Sequence, residues 1–389
     1  LSEKVYDVYL ENLDYYKRFL SKEDLNQLKD WKFKIDDEIN SNEYGFFEKS
    51  HNLIDAAIVD AQKYYHQIID EPFDFESMDE FETDPKKREF VKEKELPQLW
   101  SNQIQYNMML RINELMKKEE NVEKTFEEVE KEARKNVKKR FDDLFDRLSQ
   151  VEKSDRRTQF VNAISQAYGP HSSYLPPKQK ENFDIRMSGK LEGIGATLSQ
   201  NYGEIKVVKI VVGGPAYLHG ELEVEDIIQS VKQEKEKESV SLEGMRLDDA
   251  VQLIRGKKGT IVSLGIKKVD GTHKTISITR DEVFLEETYA KSVLLEKDSK
   301  IGYLNLPRFY ADFARNGAPS CAEDVDSEVQ KLKAAGMEAL IFDLRNNSGG
   351  ALNEVIDMSG LFIESGPIVQ VKGKEKKPHV FRDTNGKVS

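Results

Sequence analysis

The chain has 389 residues, 38% hydrophobic and 33% charged: enough apolar content for two or three cored domains, with charge above the usual quarter or so. Lys and Arg number 59 against 71 Asp and Glu, a net charge of −12, which argues against broad nucleic-acid binding and gives no reason to expect adhesion to an anionic membrane. No apolar run approaches the roughly 20 residues of a membrane helix, and the single cysteine, Cys321, excludes an intrachain disulfide.

Residues 1 to about 165 read as helical, with little Gly and dense charge. The clearest helix is Thr125–Val151, where Phe126, Val129, Ala133, Val137, Phe141, Phe145 and Leu148 recur every three or four residues as one apolar stripe. Earlier helices are expected over Glu3–Phe19, Ser21–Ile39, Phe46–Ile69 and Gln98–Lys118, with a long loop over Asp70–Pro97. Aromatics such as Tyr15, Tyr16, Phe46, Phe47, Tyr64 and Tyr65 read as packing between helices rather than as a partner surface. Tyr168–Pro177, YGPHSSYLPP, is turn-rich and reads as the start of a junction extending to residue 185. His171 beside Ser172 and Ser173 is not read as a catalytic pair, because such pairs usually come from separate elements.

From residue 186 to 283 the pattern changes to short strands. Gly193–Leu198 (GIGATL) opens one and Ile205–Val212 continues in β-branched residues. A Gly213-Gly214-Pro215-Ala216 turn leads to Glu225–Ile228. Arg246–Arg255 is an amphipathic helix with Leu247, Ala250, Val251 and Ile254 on one face. Thr260–Lys267 and Thr275–Thr279 read as strands joined through Asp270-Gly271, and Lys232–Glu238 (KQEKEKE) as a solvated loop.

From 284 to 389 strands and helices alternate: Ile301–Leu306 strand, Asp324–Ala335 helix, Ala339–Leu344 strand, Leu352–Ile363 helix, Ile368–Val371 strand, then a polar tail to Ser389. Such alternation implies parallel strands with helical crossovers. Leu340–Leu344 reads as a strand covered on both faces, followed by turn formers Asn346-Asn347-Ser348 and the pair Gly349-Gly350 at a helix start. Free amides there suit an oxyanion or a phosphate. No Lys-Ser or Lys-Thr follows the glycines as a phosphate loop requires, which counts against the phosphate. Cys321 reads as a loop or helix-start residue rather than a nucleophile.

GIGATL, then GGPA, an Asp-Ile-Ile strand and DAVQLIRGKKGTIVSLGI resembles a PDZ domain of the bacterial protease type over roughly 95 residues. The resemblance implies that amides near Ile194–Ala196 hold a ligand's C-terminal carboxylate, with Leu191, Gly193, Ile194, Gly195, Ala196, Leu198, Val251 and Ile254 forming the substrate-binding loop and apolar pocket. Where bacterial relatives often carry Gly-Asp, this chain has Glu225-Asp226, a change in a turn rather than in the binding loop.

The order of the whole chain (helical domain, PHSSYLPP, PDZ, DLRNNSGGAL, MSGLFIESGPIVQV) is similar to the C-terminal processing peptidases, or tail-specific proteases. This implies an α+β multidomain protein: a helical N-terminal domain (1–167), a junction (168–185), a PDZ domain (186–283) and a partial crotonase-like or Clp-protease-like α/β core (284–389). By resemblance, Gly349 and Gly350 belong to an oxyanion hole and Arg345 supports its loop. The implied chemistry is a Ser–Lys dyad without metal or cofactor, acting on protein or peptide substrates with free apolar C-termini. A protein adaptor or self-association is a further partner reading. The implied setting is periplasmic or in the cell envelope, although no signal-like segment opens the chain.

The family's serine, in a segment of the type SASASE, and its lysine, in a GKG-type turn, occur nowhere in this sequence. Ser348 and Ser389 do not replace the nucleophile in this reading. The expectation is a catalytically incomplete piece of a serine peptidase, with Leu1 either the cut end of a longer precursor or an artificial boundary, and apolar surface exposed in the C-terminal part. The alternative is a non-enzymatic PDZ adaptor for protein C-termini.

Overall fold

A computed structural model describes residues 1–75, 81–201, 203–313, 320–375, 377–384, 386 and 388–389. The chain divides into two compact units, Leu1–Pro176 and Pro177–Ser389.

The first unit consists of helices α1 (Ser2–Leu13), α2 (Lys22–Leu28), α3 (Ile35–Ser41), α4 (Gly45–Ile68), α5 (Leu96–Met116), α6 (Phe126–Ser149) and α7 (Lys153–Tyr168), with short 3-10 turns between some of them. α6 follows its stripe from Val129 onward, where Val129, Ala133, Val137, Phe141 and Phe145 are buried; Phe126, in the first turn, is exposed, and Thr125 caps the start by accepting from the Glu128 amide. The core is strongly aromatic. Trp100 and Tyr65 are buried against Phe141 and Phe145, and Tyr9 against Phe46 and Phe160. Each such ring contributes about 2–3 kcal/mol by burial. Phe46, Phe47 and Tyr65 are core residues, whereas Tyr15 and Tyr16 are exposed.

Two of the expected helices are broken. The one expected over Glu3–Phe19 stops at Leu13, because the buried Asp14 carboxylate accepts the backbone amides of Arg18, Phe19 and Leu20 and turns the chain. The one expected over Ser21–Ile39 splits into α2 and α3 around a 3-10 turn at Lys29–Trp31. Two other boundaries also differ. α5 starts inside the expected loop, with Pro97 in its first turn, where a missing N–H costs nothing. α7 then runs up to the YGPHSSYLPP segment.

The second unit opens with helix α8 (Pro177–Ser188), in a stretch expected as connector. Strand β1 (Lys190–Gly193) pairs antiparallel with β8 (Asp281–Phe284). Between them lie β2 (Ala196–Asn201), β3 (Glu204–Ile210), α9 (Pro215–His219), β4 (Ile227–Gln233), β5 (Val240–Ser241), α10 (Leu247–Ile254), β6 (Ile261–Lys267) and β7 (His273–Thr279). Their sheet has the order β2-β3-β4-β6-β7, with β5 paired to β4, so β2 is an edge strand. Val262, Leu264 and Ile266 alternate into the core with Ile276 and Ile278. The expected KQEKEKE loop is partly strand, since Lys232 and Gln233 pair with Ser263 and Val262.

Glu225 adopts φ +78°, the left-handed region. That is the conformation glycine adopts without steric cost.

The remainder holds β9 (Lys291–Glu296), β10 (Lys300–Asn305), α11 (Cys321–Ala334), β11 (Ala339–Asp343), α12 (Leu352–Gly360), β12 (Gly366–Val371) and β13 (His379–Asp383). β10 pairs parallel with β11 across the α11 crossover and antiparallel with β9. β12 does not continue this sheet as the alternation implied; it pairs antiparallel with β13, inside the expected polar tail, where Asp383 is buried. Nor is β11 covered on both faces. It is an edge strand whose Leu340 and Phe342 face the core while Ile341 is 49% exposed.

Candidate active site

The Gly-rich turn after β11 is built from its two flanks. Asp343, 7% exposed at the end of β11, accepts from the Arg345 backbone amide and, through both oxygens, from Arg345 Nε and a terminal guanidinium nitrogen at 2.7–3.1 Å. The Tyr303 hydroxyl, from β10, donates to the same carboxylate. These donors hold the Asp343 carboxyl well below its usual range and raise the Arg345 guanidinium. Arg345 therefore supports the loop by clamping the strand end, and its own side chain remains largely exposed.

Asn346 follows at φ +63°. Asn347 Nδ2 donates to the Leu306 carbonyl at 2.9 Å, and its Oδ1 accepts the Gly349 amide at 2.8 Å. Phe309 then brackets the glycines: its amide donates to Gly349 O at 3.1 Å, and its carbonyl accepts from the Ala351 amide at 2.9 Å. Gly350, at φ +155°, lies so close that an added Cβ would sit 2.0 Å from the Phe309 oxygen. Only glycine fits there.

The two glycine amides are therefore not equivalent. Gly349 donates to Asn347, while the Gly350 amide has no acceptor among the described residues and Gly350 is exposed. α12 begins just beyond, at Leu352, with no side chain capping its start. Tyr303 and the 306–309 loop were not singled out from sequence, and Asn347 was read only as a turn former. An Asn two residues before Gly is a signal for Asn347, since such side chains bond the backbone two residues on. No local signal marks Tyr303.

Ser348 is exposed and its hydroxyl donates to no described residue, and the Ser389 hydroxyl donates to Asp326. Cys321 is the first residue of α11 and fully buried; burial, with Glu354 nearby, pushes its thiol far up. His171 is exposed and makes no hydrogen bond to Ser172 or Ser173. No group of three or more His, Cys, Asp and Glu among the described residues is placed to hold a metal. None of the described helices is long and apolar enough to cross a membrane.

The second candidate region surrounds residues 193–196. Ile194 and Gly195 form a buried loop between β1 and β2 whose carbonyls accept from Ala216 and Val211, both at 2.8 Å. Their own amides donate to no partner among the described residues. Gly195, at φ +74°, packs against the Gly214 backbone, which ties GIGA to GGPA. α10 lies beside β2. Gln200 Nε2 donates to Met245 O and its Oε1 accepts the Leu247 amide, linking the strand to the helix start. The other helix end is capped by the buried Arg280, which donates to Ile254 O and Leu253 O at 2.8 and 3.1 Å. Ile194 and Ile254 are core residues, with Ala196 and Leu198 half-buried against them. Val251 is half-buried on α10, and Leu191 on β1 lies 3.2 Å from the position a Gly193 Cβ would take.

Three family models match the chain in succession. The tail-specific protease N-terminal domain matches residues 1–178, the PDZ domain 183–267 and peptidase family S41 residues 300–388. The tail-specific protease of Haemophilus influenzae is 31% identical over 386 residues, covering 98% of this chain and 52% of that protein. Carboxy-terminal processing protease CtpA of Bacillus subtilis is 33% identical over 214 residues, 55% of this chain and 42% of that protein. The chain thus spans about half the length of these relatives. The peptide-bound PDZ domain of a Vibrio cholerae carboxy-terminal protease is 41% identical, covers 24% of this chain and 97% of that one, and superposes with a TM-score of 0.23. With three domain types matched in succession and relatedness running along nearly the whole chain, the protein belongs to the C-terminal processing peptidase family, the tail-specific serine peptidases with a PDZ domain.

Proposed function

We propose that this chain is the recognition part and half of the active site of a tail-specific serine endopeptidase. Its PDZ domain captures proteins by a free, apolar C-terminus. The observation that carries the reading is the pair of unpaired, buried amides at Ile194 and Gly195 beside the free edge of β2. A terminal carboxylate accepts from those amides, and the preceding residues add as a strand along β2. The terminal side chain packs against Leu191, Leu198, Val251 and Ile254, with Gly193 and Ala196 shaping the loop.

At the second site, the Gly350 amide donates to the oxyanion of the tetrahedral intermediate. Gly349 serves by holding the turn through Asn347, and Arg345 by clamping Asp343. The serine attacks the scissile carbonyl and passes its proton to a neutral lysine, which returns it to the departing amine; water then cleaves the acyl-enzyme. That serine and lysine belong to segments this sequence does not contain. Family membership supports a periplasmic or envelope location, which cell fractionation tests.

The test is calorimetric titration of the full chain with one apolar-ended peptide as free acid and as amide. The free acid binds at least tenfold more tightly; equal affinities overturn carboxylate capture. Peptidase turnover above background that Ser348→Ala removes would overturn the assignment of the missing nucleophile.

A further inference from the structure

In the helical unit, a cavity of about 190 Å³ is lined in part by the Arg18 guanidinium, whose Nε has no hydrogen-bond partner among the described residues. Arg18 follows the loop that Asp14 folds back. Its guanidinium carbon lies 5.0, 5.3 and 5.6 Å from the ring centres of Phe19, Tyr16 and Trp100. Its Nε is buried without an acceptor. Among the described residues, no carbonyl accepts from its terminal nitrogens and no carboxylate forms an ion pair with it. Asp14 is the acid that acts on it through space, but the oxygens of that group already accept three backbone amides. Arg88 and Arg140 add further positive charge nearby. Burial lowers the basicity of Arg18, yet a guanidinium stays charged at neutral pH.

Buried donors left unpaired are costly, and native proteins rarely keep them. Here the missing acceptor has room to come from outside. Leu53, Ala57 and Leu96 supply apolar wall, and the exposed acids Glu23, Asp60 and Glu93 also line the cavity, Asp60 beside Lys63 and Glu23 accepting the Glu93 amide. A lone carboxylate would meet these acids, and a lone amine would meet Arg18. A molecule carrying both charges meets complementary partners at each place.

We infer that this cavity binds a free α-amino acid with an apolar side chain, its carboxylate on Arg18, its ammonium at the acidic residues and its side chain against Leu53, Ala57 and Leu96. The volume suits such a molecule, since a cavity of about 150 Å³ admits benzene. The lining residues all belong to the first unit, whereas the peptide groove and the Gly350 turn belong to the second.

The experiment titrates the full chain with leucine, leucinamide and N-acetylleucine by calorimetry. Leucine binds, and each derivative binds at least tenfold more weakly, because one lacks the carboxylate and the other the ammonium. Arg18→Met abolishes binding. Should that variant fold poorly, Ala57→Leu keeps the guanidinium but fills the cavity, and it also abolishes binding. Absence of heat with leucine on the unaltered chain overturns the inference and leaves a water-filled cavity. Equal binding of either derivative, or leucine binding retained in a folded Arg18→Met or Ala57→Leu variant, overturns it as well.

Discussion

The PDZ sheet and the β9–β11 sheet are both alternating strands with one face on a core, yet their outer faces are opposite in character. Opposite the PDZ core, β6 and β7 present Ser263 and Ser277, whose hydroxyls bond at 2.8 Å, and Thr275 and Thr279. Opposite the α11 core, the other sheet presents Val293, Leu295 and Ile341 at 51%, 48% and 49% exposure, with Tyr303 between Val293 and Ile341. A half-solvated antiparallel sheet is expected to be polar outside, whereas a sheet with parallel pairing is expected to be apolar on both faces. The first face suits water, and the second is an apolar patch of the sort that marks a contact surface.

The largest expected effect falls at the junction of the C-terminal sheet with its turn. Gly350→Ala drives a Cβ into the Phe309 carbonyl, so the 306–309 loop and the turn separate. Hydrogen exchange is expected to show lost protection at Phe309 and Ala351 with PDZ peptide binding intact; unchanged protection would remove the close approach from the account. Next comes a matched pair. Ile266→Ala, in the PDZ core, costs about 3 kcal/mol, while Ile341→Ala, on the open face, costs under about 1 kcal/mol in denaturant unfolding. Equal costs would mean that the outer face is covered in solution.

A smaller effect concerns pH. Asp343 has a depressed carboxyl, so its contribution is present above the unfolded value of about 4 and is lost as pH falls toward the lowered folded value. The stability difference between the parent chain and Asp343→Asn is therefore expected to be greatest above about pH 4 and to shrink below it; a difference independent of pH would break the clamp. The smallest effect is a gain. Glu225→Gly relieves the φ +78° turn, loses the exposed Lys206–Glu225 pair, and is expected to raise PDZ stability by up to about 1 kcal/mol.

Periodicity carried far in the helical unit and the PDZ domain because it reports burial directly, as the α6 stripe and the Val262-Leu264-Ile266 alternation illustrate. It failed where a polar side chain competes with the backbone. Asp14 ends α1 inside an uninterrupted helical pattern, and no spacing rule contains that bond. It also failed over His379–Asp383, too polar to read as a strand, where pairing with β12 supplies what composition does not.

At Leu340–Leu352 the residues alone settled the element types: an apolar strand, turn formers, two glycines and a helix start, without the Lys-Ser or Lys-Thr of a phosphate loop. Tertiary structure decided which amide remains free and why the second glycine has no substitute. Asn347 takes the Gly349 amide, and Phe309, from a separate loop, abuts the Gly350 α-carbon. Local conformation follows from a residue and its neighbours, but the occupancy of a donor and the room for a methyl group depend on whichever distant segment packs against it.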